Sequence, residues 1–274
     1  MRAGENGNHE GFIAFAQIRL SLPAMTIDEQ RQFNSYVIRS FRDCADQDYI
    51  LARAAHTMTL YLQFLWLASQ AIEKYLKAIL ILNKQTSAKH LQHDVLKIYG
   101  KLADIHDIPF DFPSEIESFM KYLSIFGQNR YFEHAYQLDG YDLIRLDQAV
   151  WFVRRYCQVL RWREESGDTN VPSLSENIAR IQSNETIKHP TRFSLSGGFL
   201  EQVRKDKSHP SRSVLLANNE YFGRKRATRT IISFGAWPQV NHTPEIFREL
   251  EKCVFFSGKT DAHFRKFLNL PPRK

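Results

Sequence analysis

The stretch from Leu60 to Asn83 constrains the fold more than any other, because a helix made of it is apolar on nearly every face. Apolar residues recur three or four positions apart, the period of an α-helix, at Leu60, Phe64, Leu67, Ala71, Tyr75, Ala78 and Leu82. Most other faces are also apolar, through Leu62, Trp66, Ile72, Ile79 and Leu80. Such a helix is expected at the centre of a helical bundle, and we expect the bundle aromatics Trp66, Trp151 and Tyr156 to be core residues.

A narrow polar stripe interrupts this helix at Gln70, Glu73, Lys74 and Lys77. Charges at the centre of a bilayer are costly, and the sequence has no run of about 18 uncharged apolar residues, so we predict no membrane span. Glu73 precedes Lys77 by four positions, the favourable order for a helix ion pair. The default interpretation is a solvated strip with one ion pair. In the alternative, Glu73, Lys74 and Lys77 form a polar seam that binds a partner or ligand.

Size and cysteine usage narrow the class of protein. A chain of 274 residues that is 43% hydrophobic can bury one sizeable core, with room for a smaller appended domain. Its three cysteines, Cys44, Cys157 and Cys253, are widely spaced and form no C-x-x-C pair, which favours reduced thiols in the cytoplasm. The N-terminal apolar run is broken by Gln17 and Arg19, so we expect no signal peptide.

The net charge of +7 is concentrated in one C-terminal stretch. Between Thr186 and Ile231, ten Lys and Arg residues face only three acidic residues, so this stretch carries the whole excess. Such a cluster is typical of a surface that contacts a polyanion, although a solvated surface segment is the alternative. The run from Tyr221 to Arg226 interleaves aromatic and basic residues, as single-strand binders do. Arg224, Lys225 and Arg226 are therefore candidate phosphate contacts.

Capping signals divide the rest of the chain into further helices. Thr26-Ile27-Asp28-Glu29 is a capping box that opens a helix to about Asp43, with Phe33, Tyr36, Val37 and Phe41 facing inward. The remaining helices of the bundle are predicted to begin near Asp46, at Asp94, at a capping Ser114 with a stop at Gly127, and at Asp142 with an end near Glu165.

Beyond Gly167, Ser, Asn, Pro and Gly become more frequent and the periodicity weakens. A helix over 175–182, a strand over 230–234 and a helix from Thr243 to about Phe256 are predicted there. The predicted organisation is an N-terminal arm over 1–25, an all-α up-and-down bundle over 26–166, and a mixed, partly irregular basic extension over 167–274.

Several segments share their order and residues with a known family: DQDYILARAA, FLWLASQAIEKYLKAILILN, HDVLKIYGKL and FGQNRYFE, followed by a closing helix rich in Arg and Tyr. They cover roughly residues 39–163 and resemble the HEPN superfamily, with QAIEKYLKA followed by His-Asp-x-Leu as the most specific part. The resemblance implies an up-and-down helical bundle that is commonly dimeric. Its members are nucleotide- or RNA-associated modules, and many are metal-independent ribonucleases of toxin, antiphage or RNA-processing systems.

The resemblance also implies a catalytic signature just before the closing helix: an Arg, usually a polar residue next, then four to six intervening positions and a His. The matching region here offers Arg130 and His134, with Tyr136 completing a His-x-Tyr element. The spacing departs from the signature, because three residues separate the pair and Asn129 stands where the usual Arg would fall. On a helix, this spacing would still place both side chains on one face. Arg130-Tyr131 equally resembles the Arg-Tyr element of branches that lack the nuclease motif.

Two other groups of residues are candidate sites. His90, His93 and Asp94 have a spacing that suits a metal, but His-Asp before a helix is better explained as a cap for free backbone N–H groups. Arg204 and His209 have four residues between them but lie in a polar stretch outside the predicted bundle, where chance or phosphate contact is the favoured explanation. We therefore predict no metal and no cofactor.

Three hypotheses about function remain open on the sequence alone. The first is an RNA- or nucleotide-binding module, part of a toxin–antitoxin or antiphage system, with binding residues at Glu73, Lys74, Lys77, Asn129, Tyr131, Arg224, Lys225 and Arg226. The second is a metal-independent endoribonuclease in which Arg130, His134 and Tyr136 act across a homodimer. The third is a helical interaction scaffold. The expected partners are RNA or a nucleotide, a second copy of the chain and an antitoxin-type protein.

Overall fold

A computed structural model describes residues 25–83, 93–127, 141–223, 243–253, 256 and 258–272, with the backbone alone at 136–138, 234–236, 258–260 and 263. The predicted N-terminal arm lies outside this range except for Met25. The described chain is mostly helical, as predicted. Its α-helices are α1 (Ile27–Val37), α2 (Cys44–Thr57), α3 (Tyr61–Leu82), α4 (Val95–Lys101), α5 (Ser114–Phe126), α6 (Asp142–Arg154), α7 (Trp162–Ser166), α8 (Leu174–Gln182), α9 (Asn184–Lys188), α10 (Phe199–Lys205), α11 (Arg212–Leu216), α12 (Pro244–Cys253) and α13 (Gly258–Phe267).

The first helix begins at the predicted capping box. The Thr26 hydroxyl accepts from the Glu29 backbone N–H at 3.3 Å, and the Glu29 carboxylate accepts from the Thr26 N–H at 2.8 Å. The helix does not stop before α2, because a π-helix over Ile38–Asp43 joins α1 to α2. The prediction that Phe33 and Tyr36 face inward is wrong, since they are 38% and 67% exposed. The prediction is confirmed for Val37, which is buried beside Asn34, and for Phe41, which packs against the core.

A tight turn over 58–60 separates α2 from α3, so the two helices form an antiparallel pair. Thr59 adopts a left-handed backbone conformation with φ of 61°, which is unusual for a β-branched residue. The Leu60 N–H donates to the Ala55 carbonyl at 2.8 Å, which closes the end of α2. The pairing brings the end of α3 to the start of α2, where the Tyr75 hydroxyl donates to Asp46 at 2.6 Å.

The predicted central helix is confirmed as α3, which packs against α2, α4, α5 and α6. Phe64, Ile72, Tyr75 and Ile79 are completely buried in the core. Trp66 is 38% exposed, so its assignment to the core is wrong, whereas that of Trp151 and Tyr156 is confirmed.

The ends of the next helices differ in part from the predictions. Asp94 caps α4 as predicted, because its carboxylate accepts from the N–H groups of Leu96 and Lys97. Ser114 is not the cap of α5: it is the first helical residue, and Pro113 precedes it without a side-chain cap. Gly127 ends α5 as predicted.

The predicted long closing helix, from Asp142 to about Glu165, is wrong because α6 ends at Arg154. The chain turns before α7, and side chains satisfy its backbone there instead of helical hydrogen bonds. Asn83 accepts from the Leu160 N–H at 3.3 Å, and Asn177 donates to the Leu160 carbonyl at 3.0 Å.

The hydrophobic core continues beyond the bundle into the C-terminal part of the chain. Ile181, Leu200, Val203, Leu215 and Phe222 belong to the same buried cluster as the α3 side chains. The predicted helix over 175–182 is confirmed as α8.

The elements beyond residue 223 agree with the predictions only in part. The antiparallel strands β1 (Tyr136–Leu138) and β2 (Phe234–Ala236) pair Gln137 with Gly235. Of the predicted strand over 230–234, only Phe234 is described, and it begins β2. The predicted helix from Thr243 is α12, which ends at Cys253, and the following α13 was missed. Within the described residues, no helix has the length and apolar character needed to cross a membrane.

Candidate functional site

The polar stripe of α3 forms a partly buried seam, which we call the α3 seam: Gln70, Glu73, Lys74, Lys77 and His93. Glu73 is only 3% exposed, so the default interpretation of a solvated strip is wrong at this position. Its carboxylate accepts from Lys77 Nζ at 2.7 Å and lies 3.2 Å from His93 Nδ1 at the start of α4. Gln70 Nε2 donates to the same carboxylate at 3.5 Å. The predicted Glu73–Lys77 pair therefore exists, and His93 joins it to the surface.

Lys74 also belongs to the α3 seam but contacts a different helix. Its Nζ lies 2.5 Å from the Asp48 carboxylate of α2. Because Lys74 is one position after Glu73 on α3, it points to a neighbouring face and ties α3 to α2. The three predicted binding residues of α3 are thus all engaged in ion pairs.

The predicted catalytic segment begins beside this seam. Gly127, the last described residue before it, presses its backbone against α3: a Cβ there would lie 2.4 Å from Ser69 Cβ. Ser69 is one helical turn before Glu73, so the chain leaves α5 next to the seam and is next described at β1. Asn129, Arg130, Tyr131 and His134 lie outside the described residues, as do Arg224, Lys225 and Arg226, and only the backbone of Tyr136 is described.

The other candidate residues have local roles where they are described. Asp94 is occupied as the cap of α4, His90 lies outside the described residues, and the described part of the chain contains no group of three or more metal-binding side chains. Arg204 donates to the Thr191 carbonyl at 2.7 Å. The His209 ring packs edge-on against Phe199, with centroids 5.9 Å apart. Arg204 and His209 are thus engaged within the C-terminal segment.

Sequence reasoning missed a buried ion network around Arg154 at the end of α6. The guanidinium, 3% exposed, donates to both oxygens of Asp46 on α2 at 2.7 and 2.8 Å. It also donates to both oxygens of Glu201 on α10 at 2.8 and 2.7 Å. Burial alone would raise the pKa of the Glu201 carboxyl, but Arg154 and hydrogen bonds outweigh burial and lower this pKa to about 2. Arg154 therefore joins the bundle to the C-terminal segment by a charged bridge.

A second buried network makes a similar connection one and two turns further along α2. Arg53 pairs with Asp147 of α6 and donates to the Val214 carbonyl at 2.9 Å. The Tyr49 hydroxyl donates to Asp147 at 2.6 Å and accepts from Asn219 at 2.8 Å. Asp46, Tyr49 and Arg53 are spaced three, four and seven apart, so they share one face of α2. Charged residues on a face that also carries a large aromatic were the available signal for these networks.

We call the described part of the basic stretch, residues 186–223, the basic segment, and these networks fix its position. Its backbone is held on the bundle at α10 and α11, while the side chains of Lys188, Arg192, Lys205 and Lys207 are exposed. Arg192 pairs with Glu185. Lys188, Lys205 and Lys207 have no acidic partner among the described residues. Part of the predicted concentration of positive charge thus lies on exposed side chains of the described residues.

These features define a class of protein: an all-α bundle around one apolar central helix, crossed by a polar seam and followed by a basic segment. A family model of the HEPN domain matches residues 38–158, so this part of the chain is a HEPN domain. The match begins at the π-helix and ends in the turn after α6. It supports a function connected with nucleotides or RNA. Comparison with curated proteins finds no match, and neither does comparison with solved structures.

Proposed function

We propose that this HEPN protein binds RNA or a nucleotide through the positive surface of its C-terminal segment. The observation that carries the proposal is that the basic segment exposes basic side chains without acidic partners. Buried ion pairs attach this segment to the HEPN bundle. Phosphate contacts by Lys and Arg supply most of the sequence-independent affinity of nucleic-acid binding. A cationic surface held on a rigid support loses less conformational entropy on binding than a free tail does.

The test uses a pair of lysines that leave the rest of the chain intact. We expect Lys188→Glu combined with Lys207→Glu to weaken binding of a labelled single-stranded RNA by at least tenfold at moderate salt. The slope of log affinity against log salt should also fall, since each lost phosphate contact removes about one unit of slope or slightly less. Fluorescence anisotropy at several salt concentrations measures both quantities.

The matched control reverses two exposed lysines of the bundle, Lys101 and Lys121, which lie outside the basic segment. Both double variants change the net charge equally, so a general charge effect would weaken RNA binding in both. Equal loss in the two variants, or no RNA binding by the unmodified protein, would overturn the proposal.

A second candidate is a metal-independent endoribonuclease that uses Arg130 and His134 across a homodimer in the cytoplasm, as a toxin or antiphage effector with an antitoxin-type partner. The location of the α3 seam favours it, because the segment with this pair begins where Gly127 contacts Ser69, one turn from the buried Glu73. A buried carboxylate there can orient a cation or an imidazole that acts on a ribose hydroxyl and phosphate.

The ribonuclease candidate makes a separate prediction. Cleavage of labelled RNA should persist in EDTA and be abolished by His134→Ala, whereas His106→Ala, on the exposed loop after α4, should leave it unchanged. Absence of cleavage by the unmodified protein, or cleavage that survives His134→Ala, argues against this mechanism and leaves RNA or nucleotide binding as the function.

A further inference from the structure

An open cleft of about 1070 Å³ lies between the N-terminal helices and the C-terminal segment. One part of its lining comes from α1 and the π-helix, with Arg31, Arg39 and Arg42, and another from α8 and α10, with Arg180 and Lys205. Five cations therefore surround one concave surface. The volume is at the upper end of the range of pockets that bind small molecules, about 300–1,000 Å³.

The acidic groups of this cleft are already neutralised. Asp43 accepts from Arg42 Nε at 3.0 Å, and Glu201 is held by Arg154. Within the described residues, Arg39, Arg180 and Lys205 have no acidic partner. Arg180 donates only to uncharged oxygens, those of the Gln158 side chain at 2.8 Å and the Ser194 carbonyl at 3.4 Å. The cleft therefore has uncompensated positive charge that an anion would satisfy.

One wall of the cleft is also unusual in backbone geometry. The π-helix contributes Arg39 and Arg42, and π-helical turns are rare and concentrate at functional sites. Arg42 is 3% exposed and donates to the Gly197 carbonyl at 3.4 Å, so it joins the π-helix to the loop before α10. This hydrogen bond links the two walls of the cleft.

An aromatic ring completes the lining. Trp162 of α7 is partly buried in the lining of the cleft, with the Arg31 guanidinium 5.6 Å from its ring centroid. Indole rings stack on nucleobases in a way that tolerates any base, while guanidinium groups bind phosphate through paired hydrogen bonds. The lining thus offers a stacking surface and phosphate-binding cations within one bounded space.

We propose that this cleft binds a nucleoside polyphosphate, with its phosphates on Arg39, Arg180 and Lys205 and its base against Trp162. The inference rests on the proposed function and goes beyond it, since it names a nucleoside polyphosphate as the ligand of a cleft whose lining includes Lys205 but neither Lys188 nor Lys207. An open concave site of this volume has room for a single nucleotide, whereas an extended groove would suit a strand.

The experiment measures binding of ATP, GTP, AMP and inorganic triphosphate to the full chain by isothermal titration calorimetry. We expect ATP or GTP to bind more tightly than AMP, because more phosphate oxygens reach the cations. Arg39→Glu combined with Lys205→Glu should weaken triphosphate-bearing ligands by at least tenfold, which corresponds to about 1.4 kcal/mol. Lys101→Glu with Lys121→Glu is the matched charge control and should change the affinity by less than about twofold.

A substitution of the ring separates the two halves of the proposed site. Trp162→Ala should weaken ATP or GTP but leave inorganic triphosphate unaffected, because only the base contacts the indole. Equal affinity in the Arg39/Lys205 variant and the unmodified protein, with circular dichroism showing both folded, would overturn the proposal. So would failure of every nucleotide to bind.

The outcome for RNA distinguishes this inference from the proposed function. If single-stranded RNA binds and loses affinity only in the Lys188/Lys207 variant while ATP and GTP do not bind, the cleft proposal fails and the proposed function stands. If an RNA strand competes for Arg39 and Lys205 but nucleotides do not bind, the cleft is part of a strand-binding surface and the nucleotide assignment is wrong. If neither RNA nor nucleotide binds, both fail.

Discussion

Glu201 offers the sharpest test of how the C-terminal segment is attached to the HEPN bundle. Its carboxylate forms two hydrogen bonds to Arg154 at 2.8 and 2.7 Å and is nearly inaccessible to solvent. Glu201→Gln keeps the size of the side chain but removes its charge, which leaves the buried Arg154 with Asp46 as its single anionic partner in this network. We expect the variant to fold and to be markedly less stable.

The size of the effect follows from the pKa of the Glu201 carboxyl. A folded-state pKa of about 2, against an ordinary value of 4.5, corresponds to roughly 3 kcal/mol at neutral pH, at about 1.4 kcal/mol for each pH unit. Loss of one partner from a buried ion pair costs a similar 3–5 kcal/mol, and the remaining Asp46 places Glu201→Gln near the lower value. We therefore expect the free energy of unfolding to fall by about 3 kcal/mol at pH 7.

The dependence on pH has a defined sign. Because the folded pKa lies below the unfolded one, this contribution is complete above the unfolded pKa and is lost as the pH falls from about 4.5 towards 2. At pH 3, less than half of the roughly 3 kcal/mol should remain. The difference in stability between the unmodified protein and Glu201→Gln should therefore shrink on acidification.

Urea unfolding followed by circular dichroism at pH 7 and pH 3 measures this difference. The control is Glu185→Gln, in the same segment, whose partner Arg192 is as exposed as Glu185 itself. Exposed pairs contribute at most about 1 kcal/mol, so this variant should resemble the unmodified protein at both pH values. The reasoning is refuted if Glu201→Gln is as stable as Glu185→Gln at pH 7, or if its deficit does not shrink by pH 3.

Three further changes test other parts of the fold. A chain ending at residue 166 should lose cooperative thermal unfolding, because it exposes Arg154 and the face of α2 that α11 and Phe222 cover, whereas one ending at residue 223 should keep it. Similar melting curves for the two would contradict the packing described. Thr59→Gly should raise the free energy of unfolding by up to about 1 kcal/mol, since a left-handed conformation costs other residues about 1–2 kcal/mol, and an unchanged urea midpoint would show that Thr59 is unstrained. Gly127→Ala should cost about 1–3 kcal/mol through overpacking against Ser69, and a neutral urea midpoint would show that α5 shifts freely.

The central helix and most helix starts could be predicted because they depend on local physics. The apolar period of α3 and the capping groups Thr26 and Asp94 act within a few residues of sequence. The predictions failed where distant residues decide the structure. The end of α6 at Arg154 depends on Asn83 and Asn177, which bind the backbone of Leu160 from other elements.

The candidate site was only partly readable for the same reason. The spacing of Glu73 and Lys77 predicts their ion pair. It does not predict that His93, just before α4, reaches the same carboxylate, or that this carboxylate is buried. The positive charge of the C-terminal stretch is visible in its composition. Glu201, within this stretch, neutralises the buried Arg154 of the bundle. This contact joins residues 47 positions apart, and no local pattern encodes it.

The extent of the family match explains why the proposed nucleotide cleft belongs to this chain and not to its HEPN domain alone. The match covers residues 38–158, which includes Arg39 and Arg42 but excludes Arg31, Trp162, Arg180 and Lys205. A HEPN bundle without the C-terminal segment would carry half of the cleft and would leave Arg154 without Glu201. Because the same buried network fixes the segment and shapes the cleft, weakening that network should lower nucleotide affinity as well as stability.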